Sequence, residues 1–268
     1  MSATETFRIS IEQAEAYETQ FVPALFEEWA GRLVSAAGVS PGHRVLDIAC
    51  GTGIVARTAA GVVGDGENVV GLDLNEAMLT VARRVRPDLA WRQGDAARLP
   101  FPDRSFDVVL CQSGLMFFPD VEQALREMAR VLVDDGRVGI QVWDRRQAQP
   151  AYSPFIDVAA RHAGPDAIDL LSTYFVRGDL EELRSSLAAT GLEPTSIRTE
   201  QSTLSFGSIE EMVTTEVRAT PLGERLSDDA LRGIIEEART VLDPFRAGSG
   251  TLEIPIRGHL VVAQPRPK

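Results

Sequence analysis

Lysine is almost absent from this chain: among 27 lysines and arginines the one lysine is Lys268, at the last position. A phosphate-loop lysine, a Schiff-base lysine, a kinase strand lysine and a Tyr-x-x-x-Lys dehydrogenase pair each need an ammonium inside the fold, so these chemistries are excluded. Cysteine is nearly as scarce. Cys50 and Cys111 lack the paired spacing of a zinc site and are too few for a disulfide framework, which fits two free thiols in a reducing compartment. No His/Asp/Glu cluster has metal-ligand spacing, so metal independence is expected. Apolar runs all fall well short of the roughly 18 residues that cross a bilayer. The first stretch carries Glu5, Glu12, Glu15 and Glu18 in place of an apolar export segment, and the expectation is a cytoplasmic chain with no membrane span. Basic runs are missing too: nothing exceeds Arg83-Arg84 or Arg145-Arg146, and a net charge of −12 argues against a nucleic-acid partner.

What is present is ordinary globular composition, 268 residues with 44% hydrophobic and 25% charged, enough for one large domain or one domain with a sizeable insertion. Ile9 to Val39 reads as two helices, with Tyr17 near the break, Pro23 where a helix start tolerates it, and Leu25, Phe26, Trp29 and Leu33 on a buried face. From residue 44 short apolar runs alternate with amphipathic stretches. Residues 44–49, 68–73, 89–93, 105–112 and 136–142 read as strands, and 53–63, 76–85 and 121–133 as helices. This alternation predicts an α/β fold, a mostly parallel sheet covered on both faces. Residues 147–177 hold three prolines and scattered aromatics, an irregular helical insertion. Asp179 and Glu182 form a capping-box pattern ahead of Leu180, Leu183 and Leu187, with Gly191 closing the helix and a strand near 195–203 following. A second insertion contains a helix begun by Ser227, and a strand over 253–263 ends the chain. The expected divisions are 1–40 (N-terminal helical cap segment), 41–146 (core), 147–178 (cap insertion), 179–205 (core helix and strand), 206–250 (second cap insertion) and 251–268 (final strand and tail).

The most informative segment is Val45-Leu46-Asp47-Ile48-Ala49-Cys50-Gly51-Thr52-Gly53, a buried strand running into a glycine-rich turn and then a helix. Glycines there let a ligand approach the backbone. Gly51-Thr52-Gly53-Ile54-Val55-Ala56 also satisfies the loose G-x-G-x-x-G/A dinucleotide fingerprint, with Asp73 about 20 residues on. Spacing alone does not separate a dinucleotide from another nucleoside cofactor.

Around that turn lie Asp47 inside the first strand, Asp73 ending Val69-Val70-Gly71-Leu72-Asp73, Gly94-Asp95-Ala96 after the third strand, and Leu99-Pro100-Phe101-Pro102-Asp103-Arg104-Ser105-Phe106-Asp107 leading into the fourth. Together these strings resemble the class I S-adenosylmethionine-dependent methyltransferases, in the ubiquinone/menaquinone-biosynthesis-like branch that holds many small-molecule enzymes. The resemblance covers about residues 40–145, extends weakly through the Asp179 helix and the last strand, and nearly vanishes in the two insertions. It implies a Rossmann-like seven-stranded, mostly parallel sheet with helical cap insertions, residues 41–146 as the cofactor-binding core, and S-adenosylmethionine as cofactor with S-adenosylhomocysteine as product. By the same resemblance Ala49, Gly51 and Gly53 form the turn under the methionine part, and Asp47 orders that turn and the nearby amino group. Asp73 accepts from both ribose hydroxyls, Leu74 and Met78 meet the adenine, and Asp95 with the Ala96 backbone reads its amino edge. Gln112 lies beside the methionine moiety, with Ser113 and Leu115 near the transfer site. Asp103 and Asp107 read as structural residues of the loop before the fourth strand, and Met116, Phe117 and Phe118 as core.

The implied activity is methyl transfer to O, N or C of a small aromatic or heterocyclic metabolite, of the secondary-metabolism kind, by a monomer or homodimer. The sulfonium already supplies an activated leaving group, so the protein mainly positions and desolvates, and a general base is optional. Substrate-side candidates are Tyr17, Tyr152, His162 and Tyr174; Tyr17 leads because it falls at the expected helix break, while His162, His43 and His259 also read as structural. Two rivals stay open: a nicotinamide-dependent oxidoreductase using the same glycine turn, and a catalytically silent cofactor-binding protein.

Overall fold

The computed structural model describes residues 9–218, 222–248 and 250–266; Glu5 and Lys268 lie outside them, as do the corresponding parts of the expected segments 1–40, 206–250 and 251–268. Two compact units are distinguished: Met1–Val142 with Leu180–Arg198 and His259–Lys268, and Trp143–Asp179 with Thr199–Gly258.

The first helix, α1 (Ile11–Ala16), is started by Ser10, whose side chain and that of Gln13 cap each other's backbone. It passes directly into a π-helical stretch, Tyr17–Phe26, and then α2 (Glu27–Ala36). The expected break at Tyr17 is therefore absent, and Pro23 sits inside the π-helical stretch rather than at a helix start. Proline has no N–H to give and crowds the carbonyl four residues back; the wider π register, bonding five residues back, accommodates that ring.

There follow β1 (Val45–Ile48), α3 (Ile54–Val63), β2 (Val69–Asp73), α4 (Glu76–Val85), β3 (Ala90–Gln93), β4 (Phe106–Gln112), α5 (Val121–Val131) and β5 (Leu132–Trp143). Then come α6 (Tyr152–Ala163), α7 (Asp166–Ser172), α8 (Leu180–Ala189), β6 (Leu192–Phe206), α9 (Ile209–Arg218), α10 (Leu222–Arg225), α11 (Asp228–Leu242) and β7 (Leu252–Pro265). The seven strands form one sheet in the order β3-β2-β1-β4-β5-β7-β6. Its β3-β2-β1-β4-β5 portion is parallel throughout. Strand β5 starts earlier than the expected residue 136: Leu132 already pairs with Phe106, and the acidic stretch Val133-Asp134-Asp135-Gly136 is absorbed as an irregularity before Arg137 pairs with Val108.

Helix α5 shows how patterning places the core of the first unit. Asp120 caps it through the Gln123 amide, and Ala124, Leu125, Met128 and Val131 form the buried face. These pack with Leu46, Ile48, Leu72, Val109, Cys111, Ile140, Leu183 and Leu187 in one apolar cluster. In the second unit α11, capped by Ser227 as its sequence predicts, buries Ile234, Ala238 and Leu242. It packs against α6 and α9.

The loop before β4 is held by charge. Arg130 donates to the Leu99 and Phe101 carbonyls at 3.1 and 2.8 Å, to Asp103 at 2.8 Å and to Glu127 at 2.7 Å. Asp107 accepts from the Arg44 amide at 2.7 Å and from its guanidinium at 3.0 and 3.1 Å. Asp103 and Asp107 thus have the structural roles expected of them. Arg130→Leu strands two carbonyls and a half-buried glutamate, and should lower stability by about 1–3 kcal/mol in urea denaturation.

Candidate functional site

Strand β1 is buried along its whole length and ends at the motif turn. Three alternate residues of that turn are left-handed: Ala49 at φ 55°, Gly51 at 55° and Gly53 at 91°. Glycine adopts that region freely, whereas at Ala49 it costs roughly 1–2 kcal/mol. The neighbouring strand repeats the feature, since Ser113, just past β4, has φ 50°. Strained non-glycine residues thus end two adjacent parallel strands, at the edge where such sheets bind ligands. The two ends touch, because a Cβ at Gly114 would lie 2.9 Å from the Ala49 methyl.

Hydrogen bonds tie the strand ends together. The Gly51 amide donates to Asp73 Oδ2 at 2.8 Å and the Asn75 amide to Asp73 Oδ1 at 2.8 Å. The Leu74 amide acts on the same carboxylate. Burial pushes the Asp73 carboxyl above its usual range, opposed by these amides. Asp47 is fully enclosed and accepts from the Ala56 amide at 3.0 Å, anchoring the first turn of α3. Burial drives its pKa up to about 8, with the Ala56 amide opposing and Asp73 adding to the rise. Arg57 donates to the Thr52 carbonyl at 2.8 Å and pairs with Glu18 of the π-helical stretch at 2.9 Å.

Tyr17 is brought to the site, its ring being the nearest group to the position a Gly51 Cβ would take, at 3.7 Å. It also packs on Phe26, with ring centroids 5.2 Å apart. Leu74 follows the β2 end and is 57% exposed, an apolar side chain in solvent. Met78 is buried in a small cluster with Ala14 and Val81, against which Tyr17 also packs. Asp95 is exposed and accepts from the Ala97 amide at 2.8 Å, a turn that leaves Ala96 buried. Gln112 is buried and donates to the Phe26 carbonyl at 3.0 Å, while its Oε1 has no partner. Leu115 is wholly buried among core residues. His162 and Tyr152 belong to the second unit: His162 meets Glu237 at 2.7 Å on the surface, and Tyr152 donates to Glu216 at 2.7 Å. Of the remaining histidines, His43 accepts from the Ser40 amide and His259 is buried in β7.

Three contributors escape a sequence reading. Trp91 of β3 lies where a Cβ at either Gly53 or Gly71 would overlap its indole, so Gly53 makes room for a side chain of the fold as well as shaping the turn. The alignment of Gly71 opposite Trp91 becomes visible only with the register. Gln141 of β5, fully buried, accepts from Ser113 Oγ at 2.6 Å and from its amide at 2.9 Å, holding that left-handed residue. Thr52 is fully buried with its hydroxyl unpartnered. Among the described residues no group of three or more His, Cys, Asp or Glu is placed to hold a metal ion, and no helix is long and apolar enough to cross a membrane.

The site therefore offers a glycine turn, a half-buried acid at the next strand end, an exposed apolar residue beside it, and a buried amide oxygen in want of a donor. A nucleoside joined to an ammonium-bearing chain fits that donor set. Residues 46–140 match the family described as Methyltransferase domain. The ubiquinone/menaquinone biosynthesis C-methyltransferase of Edwardsiella ictaluri (strain 93-146) is 33% identical over 183 residues, 62% of this chain and 73% of that protein. The demethylmenaquinone methyltransferase of Lactobacillus johnsonii (strain CNCM I-12250 / La1 / NCC 533) is 40% identical over 118 residues, 42% of this chain and 48% of the relative. Several curated relatives are matched over about half their length. Among solved structures, the YcgJ protein of Bacillus subtilis superposes with a TM-score of 0.61 at 24% identity, covering 90% of this chain and 99% of that one, a likeness of fold. The chain belongs to the class I S-adenosylmethionine-dependent methyltransferase family, in its ubiquinone/menaquinone-biosynthesis branch. Its cofactor is S-adenosylmethionine.

The geometry sets two expectations. Asp47 in the folded chain holds its proton up to about pH 8, whereas the unfolded chain loses it near the ordinary value of 3.8. Its contribution to stability is complete below pH 4 and is lost as pH rises toward 8. Asp47→Asn should flatten that decline, read as midpoints of thermal unfolding between pH 5 and 8. Gly53→Ala combines a left-handed methyl-bearing residue with overlap on the indole, and should cost about 2–4 kcal/mol by urea denaturation. Adding Trp91→Leu should return part of that loss and leave the backbone strain.

Proposed function

We propose that the chain transfers the methyl group of S-adenosylmethionine to a small molecule carrying an aromatic, heterocyclic or quinone-like ring, with carbon, oxygen or nitrogen as the receiving atom. The observation that carries this reading is the Gly51 amide bonded to Asp73 beside the left-handed residues Ala49 and Ser113: a cradle at the ends of three parallel strands. The relatives described as C-methyltransferases of ubiquinone/menaquinone biosynthesis support carbon as the first target to test.

In this proposal Asp73 takes the ribose hydroxyls beside its amide donors, and Leu74 lies against the adenine, with Met78 behind it. Asp95 and the Ala96 amide read the base's amino edge. The turn Ala49-Cys50-Gly51-Thr52-Gly53 runs beneath the methionine part, where Gln112 Oε1 receives a donor from the amino group. Asp47 acts at one remove, holding α3 in place through Ala56. Tyr17 covers the turn. The cofactor, when bound, supplies a methyl on a sulfonium open to in-line displacement; the residues around it fix orientation and keep water out.

A nicotinamide-dependent oxidoreductase would share the glycine turn, but the chain lacks an internal lysine for a Tyr-x-x-x-Lys pair. Calorimetric titration with S-adenosylhomocysteine and with NADH separates the two. Binding of the first alone is expected, and tight NADH binding without it would reverse the reading. Consumption of methyl donor over phenols, amines and β-dicarbonyls tests transfer itself, since a silent binding protein would hold the cofactor and turn over none of them. Asp73→Ala should weaken S-adenosylhomocysteine binding by roughly 1.5–3 kcal/mol while the chain stays folded. Unchanged affinity would remove Asp73 from the ribose.

A further inference from the structure

The second unit encloses a carboxylate without a cation. Glu216 on α9 is 8% exposed, and its Oε1 receives the Tyr152 hydroxyl at 2.7 Å. Tyr152 opens α6 and is itself buried, standing edge-on to Phe175 with ring centroids 5.4 Å apart. Tyr174, the chain neighbour of Phe175, is half-buried, and burial and then the charge of Glu216 raise its phenol. Helix α11 packs on α9 and α6 with Ile234, Ala238 and Leu242, all apolar.

The groups that act on Glu216 are few. Burial raises its carboxyl to about 7, and the Tyr152 hydrogen bond works in the opposite direction. No positive charge among the described residues contributes. Of the arginines of the same unit, Arg146 pairs with Asp157, Arg161 with Glu237 and Arg257 with Asp144, while Arg177, with a buried Nε that has no partner, does not act on Glu216. An ionised carboxylate enclosed by aromatic and aliphatic groups is costly unless a counter-ion arrives. A hydrogen-bond acceptor alone would be served by an uncharged amide.

We propose that Glu216, Tyr152, Tyr174 and Phe175 form a recognition site in the second unit for a small protonated amine, with the carboxylate as counter-ion and the aromatic rings as its surroundings. An ammonium gains a charge-assisted hydrogen bond from Glu216 and cation–π attraction from the rings, whereas an alcohol of the same shape gains only a neutral hydrogen bond. Capture of the ammonium ionises Glu216, and the displaced proton passes to the buffer. The site's chemistry resides in the second unit alone and stands whether or not methyl transfer is observed.

The test is calorimetric titration of the full chain with benzylamine and with benzyl alcohol at pH 7, in phosphate and in Tris, buffers with different heats of ionisation. Benzylamine should bind about tenfold or more tightly than the alcohol. Its heat should differ between the buffers by the release of about half a proton, as a carboxyl titrating near 7 requires. Glu216→Gln should lower benzylamine affinity by about tenfold or more and abolish the buffer difference. Tyr152→Phe, which keeps the carboxylate, should preserve the preference for amine over alcohol. Should Glu216→Gln fail to fold, the buffer comparison on the unaltered protein decides. Absence of benzylamine binding, equal affinity for the alcohol, or heats independent of buffer would each overturn the proposal.

Discussion

The hydrogen bond from the Gly51 amide to the Asp73 carboxylate joins the ends of two parallel strands at the point where both stop being strands. A strand end has amides with no ladder partner, and here one of them is satisfied by a side chain that can also address a ligand. The same bond restrains the glycine turn, whose left-handed residues would otherwise be free to relax. Gln141 does the corresponding work on the other side of β1, accepting twice from Ser113. Two local constraints, one ionic and one neutral, thus keep three strand ends in a shape that the sheet's regular pairing would not produce.

Charge is arranged with the same economy. Burial and Asp73 make Asp47 harder to ionise, while Arg57, paired with Glu18, acts the other way. Because Arg57 also holds the Thr52 carbonyl, the π-helical stretch and the glycine turn share one guanidinium.

The core was legible because its elements obey short-range rules. Helices α3, α4 and α5 begin within a residue of their expected positions, two of them with the Asx caps Asn75 and Asp120, and the apolar strands flanking them have no competing period. The glycine turn and Asp73 were legible through their spacing and family resemblance. What escaped depends on contacts across the sheet. No local signal says that Trp91 will lie over Gly53 and Gly71, or that a glutamine on β5 will hold Ser113. Pro23 misled because proline normally marks a helix start, and the π register that admits it inside has no distinctive composition. Tyr152 and His162 were both candidates for the substrate side; their partners, Glu216 and Glu237, lie 64 and 75 residues away.

Trp91 carries a consequence for descent. Its indole occupies the space that side chains at 53 and 71 would need, so the three positions are sterically coupled although they belong to a turn and two different strands. A lineage that keeps the tryptophan is bound to glycine at both places. One that trades it for a smaller residue frees position 71 to diversify, while position 53 stays fixed by its handedness.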